Sequence, residues 1–321
     1  MVSPVADGAL SDRVTLRTGL EISRFGLGAA AFGGLYKSVS LQDCQETTEI
    51  ALKRGATYID TAPHYGKGVS EKRLGEILKG KDRKGFQISS KVGRILVKTG
   101  YEVDDFFKDA DVTKTRIYDY SASGIERSIK DSLERLQMDY LDIVFIHDPE
   151  GNEEIAISEG ARALSNLRDK GIIKAYGIGM NICETPTRFI RETDIDLVLI
   201  AGRYSLLDQT AAIELFPAAQ ARGVDVIVAG VFNSGVLANP KSGATYDYMP
   251  APDRLISRAT VIKETATRFG ISLQAAATQF PLRHPAVKAI LVGCRSKQEV
   301  ESNLCAFNEH IPDEFWSELG L

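Results

Sequence analysis

The chain has 321 residues, 44% hydrophobic and 26% charged, with a formal net charge of −4. A chain of this length buries roughly 75% of its unfolded surface without disulfides or metals, and its mildly acidic balance argues against nucleic acid or an anionic membrane as partner. Cys44, Cys183, Cys294 and Cys305 lie far apart with no CxxC pair, so neither a zinc site nor a disulfide scaffold is implied, and reduced thiols in the cytoplasm are expected.

The first dozen residues lack the basic start and apolar core of a secretory signal, and no apolar run approaches the ~20 residues that span a bilayer. Residues 15–21 then read as a β-hairpin with Thr18-Gly19 at its turn. Eight short apolar runs follow, at 25–28, 57–60, 87–91, 142–147, 175–179, 197–201, 225–229 and 289–293. Several are rich in Val and Ile without clean alternation, as expected of strands covered on both faces. Helical spacing fills the stretches between them at 41–54, 123–136, 154–170, 210–222 and 254–269. Four of these stop at a glycine, Gly55, Gly171, Gly223 or Gly270, a C-terminal cap signal. The helix at 123–136 is expected to start on a Ser cap and to pair Glu126 with Lys130.

Eight strand–helix units without a composition break predict one domain over residues 1–321, a closed (β/α)8 TIM barrel whose N-terminal hairpin plugs the amino end. An open doubly wound sheet would need a glycine-rich phosphate turn opening a helix, and the residues after Gly26-Leu27-Gly28 do not fit that spacing. Two long βα loops, 93–120 and 231–253, follow strand ends and are expected to wall a pocket.

Chemistry collects at the carboxyl ends of three consecutive strands. The second ends at Asp60 and runs into Thr61-Ala62-Pro63-His64-Tyr65-Gly66, the third ends at Lys91, and the fourth at His147. A phenol titrating near 10 is a poor acid or base at neutrality, and a neighbouring ammonium lowers that value. The four residues therefore describe a proton relay for hydride transfer: Tyr65 as acid or base, Lys91 as its tuner, Asp60 as counter-ion and His147 as a neutral donor orienting the reacting oxygen. His64, Arg94 and Asp148 flank them and read equally as sugar-hydroxyl ligands or as solvated loop residues.

These motifs resemble those of the aldo-keto reductase family over nearly the full chain. The likeness rests on Asp60 to Gly66, on Lys91, on Asp142-Ile143-Val144-Phe145-Ile146-His147 and on Lys174-Ala175-Tyr176-Gly177-Ile178-Gly179. It implies a barrel that binds a nicotinamide cofactor without a Rossmann domain, with Asp60, Tyr65, Lys91 and His147 as the catalytic tetrad and no metal. It further implies that Asn181 binds the carboxamide and that Gly28, Ala29, Ala229, Phe232, Ser234, Gly293, Arg295, Glu299 and Asn303 lie along the cofactor. Two positions depart from the pattern. Ala201 stands where the family usually has a glutamine and Ala229 where it often has a stacking aromatic, so binding is expected to rely more on Asn181, on backbone groups and on Phe232.

The segment after the last strand also departs. The positions at which NADP-preferring relatives carry Lys and Arg hold Gly293 and Glu299. A 2′-phosphate near Glu299 would be repelled, whereas ribose hydroxyls can donate to a carboxylate, so NAD is expected over NADP. Arg191 to Asp194, Ile200 to Gln209 and Gly230 to Gly235 resemble the branch holding aldose 1-dehydrogenases, L-galactose and L-fucose dehydrogenases and pyridoxal 4-dehydrogenases. The resemblance implies NAD-dependent oxidation of the anomeric carbon of an aldose to the lactone, with Tyr65 as base, in a monomer or small homo-oligomer. Pyridoxal oxidation and general aldehyde or ketone reduction are the alternatives.

Overall fold

A computed structural model describes residues 11–104 and 106–321. The chain opens with an antiparallel hairpin, β1 (Arg13–Thr15) and β2 (Glu21–Ser23), whose turn is closed by hydrogen bonds between Leu16 and Leu20 and from Gly19 to Leu16. Eight parallel strands then close a barrel: β3 (Phe25–Gly28), β4 (Tyr58–Asp60), β5 (Gln87–Val92), β8 (Leu141–His147), β9 (Ile173–Met180), β10 (Leu197–Ala201), β11 (Asp225–Ala229) and β14 (Val287–Gly293), which returns to β3. All eight sequence-predicted strands are present, with ends moved by no more than two residues. Their closure leaves the barrel without an exposed edge.

Two apolar layers hold this arrangement. The barrel interior packs Tyr58, Ile143, Phe145, Leu197, Leu199, Ile227 and Leu291, and the hairpin adds Leu16 and Ile22 from below. The predicted plug is therefore real, and it seals the amino end by burying side chains worth about 1.5–3 kcal/mol each. The larger outer layer lies between strands and helices. Among the described residues no helix is long and apolar enough to cross a membrane.

The helices differ from their predicted bounds for local reasons. The cap of Ala122–Leu136 is Ser121, which accepts from the Gly124 amide at 3.1 Å, so Ser123 lies inside the helix. The predicted 154–170 helix is present as Glu153–Ile155 and Arg162–Asp169 joined through a π-helical turn at Ala156–Ala161, with helical backbone at both junctions. Gly160 in that turn packs on the Tyr120 carbonyl, with room for a Cβ only at 3.0 Å. The 210–222 helix starts afresh at Leu215, because Pro217 has no amide to donate and is tolerated only in a first turn.

Neither long loop is irregular throughout. The segment 93–120 contains an antiparallel ribbon, β6 (Arg94–Lys98) and β7 (Lys114–Tyr118). The segment 231–253 contains a small hairpin, β12 (Thr245–Tyr246) and β13 (Met249–Pro250), turning through Asp247 and Tyr248 at φ of 48° and 65°. Both stand over the carboxyl mouth of the barrel, where they contribute to one cavity.

Barrel closure depends on close backbone approach at Gly177, which pairs with Leu197 across β9 and β10. A Cβ there would sit 1.8 Å from the Leu197 carbonyl oxygen. Gly177→Ala is expected to destabilise the fold by more than the ~1–3 kcal/mol usual for overpacking, read as a lowered midpoint in urea unfolding. An unchanged midpoint would contradict this account of the contact.

Candidate active site

Strand alternation brings the site together. Side chains two apart on one strand share a face, so Tyr58 and Asp60 on β4, Ser89 and Lys91 on β5, and Phe145 and His147 on β8 all point into the barrel. Register then sets Asp60 beside Ser89. The Ser89 hydroxyl donates to Asp60 Oδ1 at 2.7 Å, and Lys91 Nζ donates to Asp60 Oδ2 at 2.6 Å. The remaining Lys91 protons go to the Thr61 carbonyl at 3.0 Å and the Tyr65 hydroxyl at 2.9 Å. An ammonium has three donors, and all three are used. Tyr65 Oη, accepting from Lys91, keeps its own proton free to donate.

Tyr65 is carried in a tight turn after β4. Gly66, at φ 64°, packs against Gly33 so closely that an added Cβ would lie 2.8 Å from the Gly33 Cα. Phe107 from the long loop stacks on the Tyr65 ring at 6.0 Å and 30°, and the His147 ring stands edge-on at 6.1 Å. Burial, then the charges of Asp60 and Asp148, push the Tyr65 phenol well above its ordinary pKa. That outweighs the lowering expected from Lys91, although its hydrogen bond to the Tyr65 hydroxyl is in place. The Lys91 charge is largely met by Asp60 at 2.6 Å, so little of it is left to offset the burial of a phenolate.

His147 is held neutral. Burial first, then the cations of Arg94 and Lys91, drive its pKa well below the ordinary value. Nε2 lies 3.5 Å from Asp148 Oδ2, and Nδ1 has no partner among the described residues. The Tyr120 hydroxyl fixes the turn beyond β8 by donating to the carbonyls of His147 and Asp148 at 2.7 and 2.8 Å. Asp148 itself adopts φ 40°, unusual for a residue with a Cβ. Arg94 donates to its Oδ2 at 2.6 Å. Burial outweighs that pairing and raises the Asp148 pKa to about 6.

A cavity of about 520 Å³ opens above this cluster. Asp60, Tyr65, Lys91 and His147 form one end, with His64 and Asp148 beside them, and Arg94 joins through its bond to Asp148. Of the residues expected along the cofactor, Gly28, Asn181, Ala229 and Gly293 line the cavity. Gly28, Ala201, Ala229, Gly230 and Gly293 project little or no side chain into it and Asn181 offers an amide, so the residues present fit a nicotinamide. Phe232 does not line it. The ring packs against the outer core, away from the cavity to whose cofactor contact it was expected to add. Ala29 is fully buried, with its carbonyl accepting from Ser70. Ser234 anchors the small hairpin by accepting from the Tyr248 amide at 3.2 Å.

The segment after β14 is engaged with itself. Arg295 reaches the Leu35 carbonyl at 3.4 Å, and the Glu299 carboxylate accepts from the Arg295 amide at 2.8 Å, as part of a helix cap. Asn303 donates to Cys294 Sγ at 3.4 Å. Sequence reasoning missed Ser89 and Arg116, and it placed Phe107 and Tyr248 only among the aromatics of the two loops expected to wall the pocket. Only Ser89 carried a readable signal, two residues before Lys91 on the same strand face. The others arrive from loops whose paths the sequence does not specify.

Fold and cluster together define the class, a (β/α)8 barrel oxidoreductase. Residues 24–320 match the Aldo/keto reductase family, and the chain belongs to it. It is 38% identical to a pyridoxal 4-dehydrogenase of Microbacterium luteolum, covering 97% of both chains. It is 39% identical to a D-threo-aldose 1-dehydrogenase of a Pseudomonas species, covering 94% of both. An L-galactose dehydrogenase of Arabidopsis thaliana is 30% identical, over 91% of this chain and 86% of that one. The holo form of an aldo-keto reductase from Bacillus halodurans shares the fold at TM-score 0.77 and 24% identity, over 97% of this chain and 95% of that one.

The charges around Tyr65 predict a pH effect. Asp148 raises the phenol's pKa and Arg94 lowers it, so Asp148→Asn removes the first and leaves the second unopposed. Both changes favour the phenolate. The limb of the pH profile that depends on the phenolate is expected to move to lower pH in Asp148→Asn, as measured by kcat/KM against pH. A limb that stays in place would remove Asp148 from the electrostatics of Tyr65.

Proposed function

We propose that this protein is an NAD-dependent dehydrogenase that oxidises the anomeric carbon of an aldose, such as L-galactose, L-fucose or another D-threo-type sugar, to the aldonolactone. The observation that carries the reading is the Tyr65 hydroxyl, held by Lys91 at 2.9 Å beside neutral His147 at the end of an accessible cavity. Tyr65 takes the proton of the anomeric hydroxyl, and the Lys91 hydrogen bond stabilises the oxygen that must carry charge beforehand. His147 fixes that hydroxyl's position, and Asp60 keeps Lys91 in place. A bound nicotinamide supplies the hydride acceptor. Gly28, Asn181, Ala229 and Gly293 are the residues to hold it, with Ser234, Arg295, Glu299 and Asn303 toward its adenosine end.

Likeness to the aldose and L-galactose dehydrogenases supports the substrate class. Glu299 supports NAD, because a carboxylate in that segment disfavours a 2′-phosphate even while one of its oxygens caps the helix. A second reading is oxidation of pyridoxal, also a cyclic hemiacetal. It is favoured by the aromatic wall of Phe106, Phe107 and Tyr248 and by the likeness to pyridoxal 4-dehydrogenase.

The test is a panel of L-galactose, L-fucose, D-arabinose and pyridoxal with NAD and NADP, followed by absorbance of the reduced cofactor. A sugar is expected to give the highest kcat/KM, with NAD the better cofactor. Equal or better use of NADP would overturn the cofactor assignment, and pyridoxal as best substrate would select the second reading. Tyr65→Phe is expected to lower kcat by ~10²- to 10⁴-fold, and near-normal turnover would exclude Tyr65 as the base.

A further inference from the structure

The long loop between β5 and the helix Ala122–Leu136 delivers a charged pair to the back of His64. Arg116 on β7 places one guanidinium nitrogen 2.6 Å from His64 Nδ1 and the other 2.9 Å from Asp104 Oδ2. Asp104 is buried, and its second oxygen accepts from the amides of Phe106 and Phe107 at 3.1 and 2.9 Å. The pair is therefore tied to the same stretch of backbone that stacks Phe107 on Tyr65. A guanidinium only donates, so Nδ1 of His64 must be the acceptor, and a neutral ring must then carry its proton on Nε2.

The ring is also neutral. Burial and the cations of Arg94, Arg116 and Lys91 lower the His64 pKa to about 2. Those charges face it from β6, β7 and β5, with His147 and Asp148 beside it at the end of β8. The ring packs edge-on to Phe107 at 5.4 Å and to His147 at 5.7 Å, with its centre 6.3 Å from that of Tyr65. His64 lines the cavity, and its Nε2 has no protein partner among the described residues. Two imidazoles therefore border the Tyr65 end of the cavity, with ring centres 6.1 Å (His147) and 6.3 Å (His64) from that of Tyr65.

We propose that Asp104 and Arg116 are positioning residues that lock His64 in the Nε2–H tautomer, and that His64 selects substrates bearing a hydroxyl on the carbon next to the reacting one. The inference rests on the reading of the Tyr65 end as the reacting end. A donor-only group that no protein atom satisfies gains most from a hydroxyl oxygen and gains nothing from a methylene. An aldose carries that hydroxyl at its second carbon.

The test compares 2-hydroxypropanal with propanal as reduction probes with NADH, since the two differ by one hydroxyl. The ratio of their kcat/KM values is expected to favour 2-hydroxypropanal in the wild type and to fall roughly 10-fold in His64→Leu. His64→Gln, which keeps an amide donor, is expected to recover most of the ratio, and Arg116→Leu to lose it. The chain has four histidines, so 15N-histidine NMR resolves the tautomer directly. His64 is expected to keep a bare Nδ1 across the neutral pH range in the wild type and to begin titrating or exchanging tautomers in Arg116→Leu. A ratio unmoved by His64→Leu, or a His64 that titrates normally in the wild type, overturns the proposal. If His64 passes both tests but no sugar is oxidised, the dehydrogenase reading fails and this inference stands. If sugars are oxidised and the ratio ignores His64, this inference fails alone.

Discussion

The contact between Lys91 and Asp60 organises the mouth of this barrel. Both side chains are almost fully buried, at 3% and 5% exposure, and the nitrogen and oxygen are 2.6 Å apart. Desolvating two charges costs several kcal/mol each unless geometry is good and the remaining lone pairs and protons are satisfied. Both conditions are met. Ser89 fills the second oxygen of Asp60, while the Thr61 carbonyl and Tyr65 take the other Lys91 protons. The pair is weak evidence of stability and strong evidence of placement, because removing either member would leave a buried charge alone. Tyr65 is positioned as a consequence.

The same burial sets the state of the site. A phenol enclosed by Phe107, His147 and two carboxylates resists ionisation, so its resting form is the protonated one. His147 is neutral for the complementary reason, since a charged imidazole would be both dry and surrounded by cations. One proton is therefore available on Tyr65, with an uncharged ring beside it. Such a site serves carbonyl reduction directly, and it serves alcohol oxidation to the extent that the phenolate can form. The charges of Arg94 and Asp148 act on that balance in opposite directions, and the two residues are bonded to each other at 2.6 Å.

Rigid strands hold the reacting groups, and loops decide what reaches them. Phe107, Arg116 and Asp104 come from the ribbon-bearing segment 93–120. Tyr248 and Asp247 come from the hairpin in 231–253, where Arg203 holds Asp247 at 2.7 Å and also donates to the Asn181 carbonyl at 2.6 Å. One guanidinium thus joins the hairpin to the backbone of a cavity residue. The wall facing Tyr65 is aromatic and the rim beside it charged, a combination that suits a ring with hydroxyls on its edge.

The eight strands, their parallel order and the residues at their ends were legible in the chain alone. Strand identity is a local property of apolar runs between glycine-capped helices, and alternation puts Asp60, Lys91 and His147 on inward faces once the barrel closes. The amino-terminal plug was legible for the same reason. What the sequence could not decide were quantities that depend on distance through space. The rise in the Tyr65 pKa follows from burial and from how completely Asp60 engages Lys91, the displacement of Phe232 follows from packing, and the Asp104–Arg116–His64 chain joins residues 12 and 52 positions apart. Local pattern determines which faces are apolar and where a turn falls. Only closure of the barrel and the paths of its two long loops determine which charges meet, and an electrostatic environment exists only after they have met.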